Sequence, residues 1–265
     1  MKIGIVGCAG RMGMMVAGEV QATPGCELAG GTEQPGSTAI GGDVMALAGA
    51  APAGLAIGDD AAALFRTSDA VIDFTAPAAT AAHAVLAGNH GTALIAGTTG
   101  LTAPHQQALQ QAAAKCVVIQ AANMSVGVNL LLGLTRQVAA ILGQDYDIEI
   151  VEMHHRHKVD APSGTALALG SEAAAGRGVD LDKVSERVRD GHTGARKMGD
   201  IGFATLRGGD VVGEHSVIFA AEGERIELTH KASSRTIFAR GAVRAALWSQ
   251  GKPPGYYTLR DVLGF

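Results

Sequence analysis

The fold of this chain is decided near its start, by the sequence Lys2-Ile3-Gly4-Ile5-Val6-Gly7-Cys8-Ala9-Gly10-Arg11-Met12-Gly13. A short β-rich run meets a glycine loop, and a helical pattern follows over residues 14–21. Strand, loop and helix in this order are the setting of a dinucleotide fingerprint, here in the variant pattern G-x-x-G-x-x-G. We predict that Gly7 makes the tight turn, Gly10 admits a pyrophosphate, and Gly13 lets helix and strand pack closely. Arg11 begins the predicted helix and could reach a phosphate.

An acidic residue stands at the place that this fingerprint requires. A second predicted strand, over residues 27–32, ends at Glu33, which follows Gly13 by 20 residues. A carboxylate there is placed to accept hydrogen bonds from the adenosine ribose hydroxyls. Glycine turns without a ligand are common, so the glycines alone are a weak signal. The starting strand and Glu33 together favour dinucleotide binding.

The rest of the first half repeats the strand–helix alternation. Further buried strands are predicted over residues 71–75, 94–96 and 116–120, with helices between them. This rhythm predicts a parallel sheet with its ligands beyond the carboxyl ends of the strands. Small polar residues follow these ends, and although ordinary turns favour the same residue types, we expect some of them to contact a cofactor. They lie at 73–75, 97–99 and 121–125.

The pattern changes near residue 125. The sequence predicts a long apolar helix over 127–142, a strand over 146–153, a helix over 165–175 that ends near Gly176, a solvated helix over 180–189 and an exposed loop over 190–202. The loop carries Arg196 and Lys197, which we expect to be solvated, with contact to a neighbouring subunit or a phosphate as the alternative. Strands over 203–207, 215–220 and 225–230 follow with antiparallel character. A helix over 234–249 and an apolar tail over 256–265, expected to pack on the first domain, close the chain.

These elements predict an α/β protein with two domains. The first is a Rossmann-type parallel-sheet dinucleotide-binding domain, formed by residues 1–125 plus 235–265. The second, residues 126–234, is a smaller α+β domain with a mixed or antiparallel sheet, expected to bind substrate and to form the oligomer. A hydrophobic content of 47% over 265 residues is enough for a sizeable core.

Charge and cysteine content exclude several classes of protein. The net charge of −4 gives no general affinity for nucleic acid or anionic membranes. The three cysteines are widely spaced, so they fit neither a disulfide framework nor a zinc knuckle. We found no signal-peptide pattern and no apolar run long enough to cross a bilayer. The cytoplasm is therefore the expected location.

The most concentrated chemistry follows the predicted strand at 146–153, in Glu152-Met153-His154-His155-Arg156-His157-Lys158-Val159-Asp160-Ala161-Pro162-Ser163-Gly164-Thr165. Clustered cations repel one another unless an anion lies among them. The Pro-Ser-Gly-Thr end opens a helix, whose unpaired N–H groups face the same space. This basic motif therefore predicts a site for a small polyanion. His154 and His155, adjacent on a strand, point to opposite faces, so they cannot do the same work.

Two other interpretations of the basic motif compete with an anion site. A metal site is disfavoured because the H-H-x-H spacing is not a helical ligand pair, and Arg156 and Lys158 would repel a cation. We therefore expect no metal. A basic surface loop without a ligand would leave the abrupt helix start at Pro162 as a coincidence.

The basic motif, continued by Ala166, closely resembles the signature of the 4-hydroxy-tetrahydrodipicolinate reductase family, formerly called dihydrodipicolinate reductases, of the diaminopimelate route to lysine. The resemblance covers essentially the whole chain, through residues 7–13, 97–100, 121–129 and the final helix. It implies an oxidoreductase that reduces a cyclic imine dicarboxylate with NADH or NADPH and releases water. It also implies a homotetramer built through the second domains.

Individual roles are carried over by the same resemblance. His154 matches the family's proton donor and acceptor, and Lys158 matches its proton donor. His155, Gly164 and Thr165 match substrate-binding positions. The matched cofactor positions are Gly7, Cys8, Ala9, Gly10, Arg11, Met12, Glu33, Gly97, Thr98, Thr99, Ala121, Ala122, Asn123 and Met124.

One position departs from part of the family. After the ribose-binding acid, some members carry an arginine that meets the 2′-phosphate of NADPH, whereas this chain has Gln34. An amide does not neutralise a phosphate, and Glu33 repels it, so NADH is the expected preference. Two other functions stay open: a different two-domain dehydrogenase, and a non-enzymatic redox sensor. The first should carry a different basic motif, and the second a partner-binding segment that is not visible here.

Overall fold

The computed structural model describes all 265 residues, and the chain divides into two compact units. One unit contains Met1–Val126 together with Thr236–Phe265, and the other contains Gly127–Arg235. The chain therefore leaves the first unit once and returns to it. No helix has both the length and the apolar character that crossing a bilayer requires.

Strands and helices alternate through the first unit. The elements are, in order, β1 Lys2–Val6, α1 Arg11–Ala22, β2 Glu27–Thr32, α2 Val44–Leu47, α3 Ala61–Thr67, β3 Ala70–Asp73, α4 Pro77–His90, β4 Ala93–Ala96, α5 Ala103–Ala113 and β5 Val117–Gln120. Local signals account for several boundaries. The Asp60 side chain caps α3 by accepting a hydrogen bond from the Ala63 N–H, and Pro77 occupies the first turn of α4.

The second unit follows, and the chain then returns. Its elements are α6 Val126–Leu142, β6 Asp147–His154, α7 Gly164–Arg177, α8 Leu181–Val184, β7 Ser185–Glu186, β8 Ile201–Arg207, β9 Gly213–Ala221 and β10 Glu224–Ala232. The returning segment forms α9 Thr236–Ser249, β11 Gly255–Tyr257 and α10 Leu259–Leu263.

The first unit is built on a six-stranded sheet of order β11-β5-β4-β3-β1-β2, and every neighbouring pair in it is parallel. Side chains alternate between its two faces, so Val71 and Ile72 of β3 belong to different core clusters. Both are completely buried, and such burial contributes about 1.5–3 kcal/mol per large aliphatic side chain. The predicted parallel sheet is confirmed.

The C-terminal tail completes this unit. Strand β11 pairs in parallel with β5, and Leu259 and Val262 of α10 are buried in the core. The prediction that the tail packs on the first part of the chain is confirmed.

The second unit carries a five-stranded mixed sheet of order β10-β9-β6-β8-β7. The predicted antiparallel pairing holds for β9 with β6 and with β10. The sheet is mixed, as predicted, because β8 pairs in parallel with β6 instead of showing the antiparallel character expected of residues 203–207. The physical reason is the connection: α7 lies between these strands, and a crossover through a helix returns the chain in the same direction.

Three local predictions in the second unit need correction. Helical structure between 180 and 189 is limited to α8, because Ser185 and Glu186 leave the helix to pair with β8. Helix α7 passes the predicted end at Gly176 and stops at Gly178, which has the left-handed conformation. A Cβ at Gly176 would lie 2.4 Å from the Arg136 carbonyl oxygen, so this glycine permits close helix packing rather than ending the helix.

Arg196 is the third correction. It is neither solvated nor free for a phosphate, because its guanidinium pairs with Asp147 at 2.8 Å and Glu149 at 2.9 Å. It also donates to the backbone oxygens of Ile148 and Asp200. Arg196 therefore ties the 190–200 loop to β6.

Candidate active site

The glycine loop has the predicted geometry. Gly7 has φ +66°, which favours glycine at the turn, and α1 begins at Arg11 as expected. A Cβ at Gly13 would lie 2.3 Å from the Gly7 carbonyl oxygen, so only glycine lets the helix approach the loop this closely. The helix start leaves backbone N–H groups at the carboxyl end of β1, where an anionic ligand is stabilised.

Glu33 lies directly against this loop. Its Oε1 accepts a hydrogen bond of 2.8 Å from the Ala9 N–H. The Cys8 side chain points instead into the core, and burial, with the Glu33 charge, raises the pKa of its thiol to about 11. Only the backbone of Cys8 is therefore available to a ligand.

The other predicted cofactor residues follow neighbouring strands at the same edge of the sheet. Gly97, Thr98 and Thr99 follow β4, and residues 121–124 follow β5. Because parallel strands end at one edge, these segments converge on the edge that carries the glycine loop. The structure thus brings the predicted positions together, while their contact with a cofactor stays a prediction.

A buried carboxylate organises the middle of this edge. Asp73 is completely buried and accepts hydrogen bonds from the Thr75 hydroxyl at 2.6 Å and the Thr98 hydroxyl at 3.2 Å. Its other oxygen lies 2.8 Å from His83 Nδ1. Burial alone would raise the pKa of Asp73, but the contacts with His83 and Thr75 outweigh it and lower the pKa. The Thr98 hydroxyl is thereby turned toward Asp73.

In the second unit, the basic motif begins on β6. Alternate residues of this strand are buried, so Ile148, Ile150, Glu152 and His154 share one face. The Glu152 carboxylate contacts His154 Nδ1 at 2.6 Å and accepts from the Ser163 N–H at 3.0 Å. Arg207 of β8 donates to both carboxylate oxygens, at 2.8 and 2.9 Å.

These contacts define the protonation state and the tautomer of the His154 imidazole. Burial lowers the pKa of His154, and the positive charges of Lys158 and Arg207 add to this against the opposing effect of Glu152. A neutral ring facing a carboxylate carries its proton on Nδ1, which leaves Nε2 as an acceptor. A Cβ at Gly213 would lie 3.0 Å from Nε2, so this glycine keeps the space beside Nε2 open.

The remaining cations of the motif have unequal positions. Arg156 and His157 are exposed, whereas Lys158 is half-buried and its Nζ lies 2.8 Å from Asp160 Oδ1. His155 follows the strand, and its ring centroid lies 6.3 Å from that of His157. Lys158 is thus the cation of the motif that forms an ion pair. Its positive charge also lies close enough to His154 to lower the pKa of that imidazole.

Helix α7 begins at Gly164, as the basic motif predicts. The Ser163 hydroxyl caps it by accepting from the Ala166 N–H at 3.1 Å. The Asp160 carboxylate lies at the same helix start, and its pKa is lowered first by Lys158 and also by the Gly164 backbone. A carboxylate of the chain itself therefore lies where an anionic group of a ligand was predicted. No cluster of three or more His, Cys, Asp or Glu residues is positioned to hold a metal ion.

Sequence reasoning assigned no role to four residues of this arrangement: Glu152, Ser163, Arg207 and His215. Glu152 and His154 are two apart on a strand, so their shared face was a usable signal. No such signal pointed to Arg207 or His215, because they lie on strands that are distant in sequence from the motif. Ser163 Oγ lies 3.0 Å from His215 Nε2, and burial lowers the pKa of His215 to about 4.

Comparison with known proteins identifies the family. Residues 1–124 match the model of the N-terminus of dihydrodipicolinate reductase, and residues 127–263 match that of its C-terminus. Two relatives carry the name 4-hydroxy-tetrahydrodipicolinate reductase. The one from Dinoroseobacter shibae is 56% identical over 98% of this chain and 97% of its own length. The one from Afipia carboxidovorans is 52% identical over 100% and 97%.

A solved structure agrees in fold. Dipicolinate-bound dihydrodipicolinate reductase from Paenisporosarcina sp. TG-14 superposes with a TM-score of 0.77 at 23% identity, over 97% of each chain. At that identity the likeness concerns the fold alone, whereas the two family models together span nearly the whole sequence. The chain belongs to the dihydrodipicolinate reductase family.

Proposed function

We propose that this chain reduces 4-hydroxy-tetrahydrodipicolinate to tetrahydrodipicolinate, in the diaminopimelate route to lysine. The observation that carries the proposal is the grouping of His154, Lys158 and the start of α7 in one short segment. In the balanced reaction, a nicotinamide cofactor supplies a hydride, one proton is taken up, and the hydroxyl group leaves as water. The protein must then bind two carboxylates and deliver a proton.

The geometry supports distinct roles for the two basic side chains. We assign Lys158 as the proton donor, because it is the half-buried cation of the motif and its positive charge acts on His154. His154, neutral with a free Nε2, is suited to accept a proton and to exchange it during turnover. Substrate carboxylates are assigned to His155, Gly164 and Thr165, since backbone N–H groups at a helix start stabilise anions.

The first unit is proposed to bind the dinucleotide. Gly7 and Gly13 form the close turn that a pyrophosphate needs, and Glu33 stands beside it, so the residues fit the group. NADH is proposed as the preferred cofactor because Gln34 supplies no positive charge for a 2′-phosphate. A preference of tenfold or more for NADPH in kcat/KM would contradict this assignment.

The assembly is proposed to be a cytoplasmic homotetramer built through the second unit. Leu206 on β8 is 49% exposed and Ile226 on β10 is 38% exposed, which leaves apolar side chains on this sheet for a subunit contact. Light scattering should give a mass four times the 26.8 kDa of the chain. A monomer mass at micromolar concentration would contradict the proposal.

The decisive experiment follows NADH oxidation by absorbance, with the cyclic imine made in situ. The Lys158→Ala variant should lose nearly all turnover while its dissociation constant for NADH stays unchanged. Lys183→Ala is the matched control, because Lys183 is a lysine on α8 that is 81% exposed in its side chain. A parallel loss of NADH affinity in Lys158→Ala would refute the assigned role.

A further inference from the structure

Glu152 is a buried carboxylate of the second unit with several hydrogen-bond partners. It is 1% exposed, and its two oxygens contact Arg207, His154 and the Ser163 N–H. Burial alone would raise the pKa of Glu152, but the hydrogen bonds from Arg207 and His154 outweigh it and lower the pKa. A buried carboxylate with this many donors is ionised and held in one orientation.

Arg207 reaches Glu152 because of the sheet register. Strands β6 and β8 are parallel, and His154 lies opposite Arg207. From this position the guanidinium of Arg207 reaches the carboxylate of Glu152, two residues before His154 on β6. The same guanidinium donates to the Asp160 carbonyl oxygen at 2.6 Å. Arg207 therefore joins the Glu152 carboxylate to the loop that carries Lys158.

The charge balance of this group acts directly on His154. An unpaired carboxylate against Nδ1–H would stabilise the imidazolium form, as an opposite charge within a few ångströms does. The guanidinium of Arg207 offsets that charge and stands close enough to His154 to disfavour a second positive charge. The titratable and charged groups that face His154 come from β6, the following loop, β8 and β9: Glu152, Lys158, Arg207 and His215.

We propose that Glu152 and Arg207 are positioning residues for His154: Glu152 holds the ring with Nδ1 protonated and Nε2 free, and Arg207 keeps the imidazole uncharged. Neither residue touches the reacting atoms. The inference deepens the proposed function, since it rests on His154 being the group that exchanges protons.

The two residues should have opposite effects on the protonation of His154. Removing the carboxylate in Glu152→Gln leaves Arg207 uncompensated, so the ring becomes harder to protonate. Removing the guanidinium in Arg207→Gln leaves Glu152 uncompensated, so the ring becomes easier to protonate, with a midpoint about one pH unit higher. Histidine NMR across a pH titration measures both midpoints and the tautomer, and the spectrum of His154→Gln identifies the His154 signal.

Activity should follow the same scheme. Glu152→Gln should lower kcat about 10- to 100-fold with KM for NADH unchanged, a typical loss when a histidine loses its orienting partner. Arg207→Gln should move the acidic limb of the kcat/KM profile to higher pH, and Arg207→Lys, which keeps the charge, should restore most of the wild-type profile.

The control is Arg189→Gln. Arg189 makes the same two-pronged contact with Glu149, at 2.9 and 2.7 Å, near the other end of β6. Removing it disturbs another bidentate arginine–glutamate pair of β6 without touching His154, so the His154 midpoint should not move.

Midpoints that shift in the same direction in both variants, or that shift as much in Arg189→Gln, would overturn the inference. Glu152→Gln is at risk of misfolding, but the Arg207 variants and the control test the inference without it. The NMR titration needs no substrate, so a failure of the proposed function is seen separately: the midpoints then shift oppositely while wild-type protein consumes no NADH.

Discussion

Gly241 of α9 is the glycine at which an added Cβ would meet its neighbour most closely, and replacing it by alanine should damage both stability and cofactor binding. A Cβ at this position would lie 1.7 Å from the Met124 carbonyl oxygen and 2.8 Å from the carbonyl carbon. Real Cβ atoms essentially never approach another heavy atom within 3.0 Å, so helix and loop must separate by more than 1 Å. The obstacle is the backbone carbonyl group of Met124, which cannot move aside by changing a side-chain rotamer.

The magnitude follows from two opposing effects. Overpacking costs about 1–3 kcal/mol, and the upper end applies because backbone must move. Replacing a helical glycine by alanine gains about 1 kcal/mol. The free energy of unfolding should therefore fall by roughly 2 kcal/mol, which lowers Tm by about 4–8 °C for a chain of this size. Because Met124 belongs to the predicted cofactor segment, KM for NADH should rise in the same variant.

Urea and thermal unfolding followed by circular dichroism measure this effect, and Gly18→Ala is the matched control. Gly18 is an exposed glycine within α1, and a Cβ there meets nothing within 4 Å. The same substitution should therefore stabilise the protein at that site, by up to about 1 kcal/mol. If Gly241→Ala also raises Tm, the close approach of α9 to Met124 is refuted.

Three further predictions concern charge. Asp160→Asn should lower KM for the imine about 2- to 5-fold at unchanged kcat, because a competing carboxylate, 53% exposed and bound to Lys158, contributes up to about 1 kcal/mol; a higher KM in steady-state assays would contradict this. The pKa of His215, about 4 in the fold against about 6.5 when unfolded, means that the unfolded chain binds the extra proton first. Stability present above pH 6.5 should be lost as the pH falls toward 4, by about 3 kcal/mol, and urea titrations should show a flatter pH dependence in His215→Gln. Gln34→Arg should raise kcat/KM with NADPH about tenfold and leave NADH nearly unaffected; no gain with NADPH would place the 2′-phosphate elsewhere.

The local signals in the sequence were sufficient for most of the first unit, although β11 was expected only as part of an apolar tail. The glycine loop, the parallel sheet and the segments after β4 and β5 were all predicted, because turns, caps and periodicity are properties of neighbouring residues. The basic motif was sufficient to identify the family, and the helix start was placed within one residue of the observed start at Gly164. The second unit was predicted less well, since the pairing direction of β6 with β8 depends on a crossover and not on the composition of either strand.

What the sequence determined by itself is therefore the type of chain: a Rossmann-type fold, a basic motif that marks the family, and candidate residues for proton transfer. Only the tertiary structure decided the protonation environment of those residues. Arg207 is 55 residues from Glu152, and His215 is 52 residues from Ser163. The fold of the second unit brings both pairs together. Burial strengthens the attraction between Glu152 and Arg207, because a pair of charges interacts strongly only where water does not screen it.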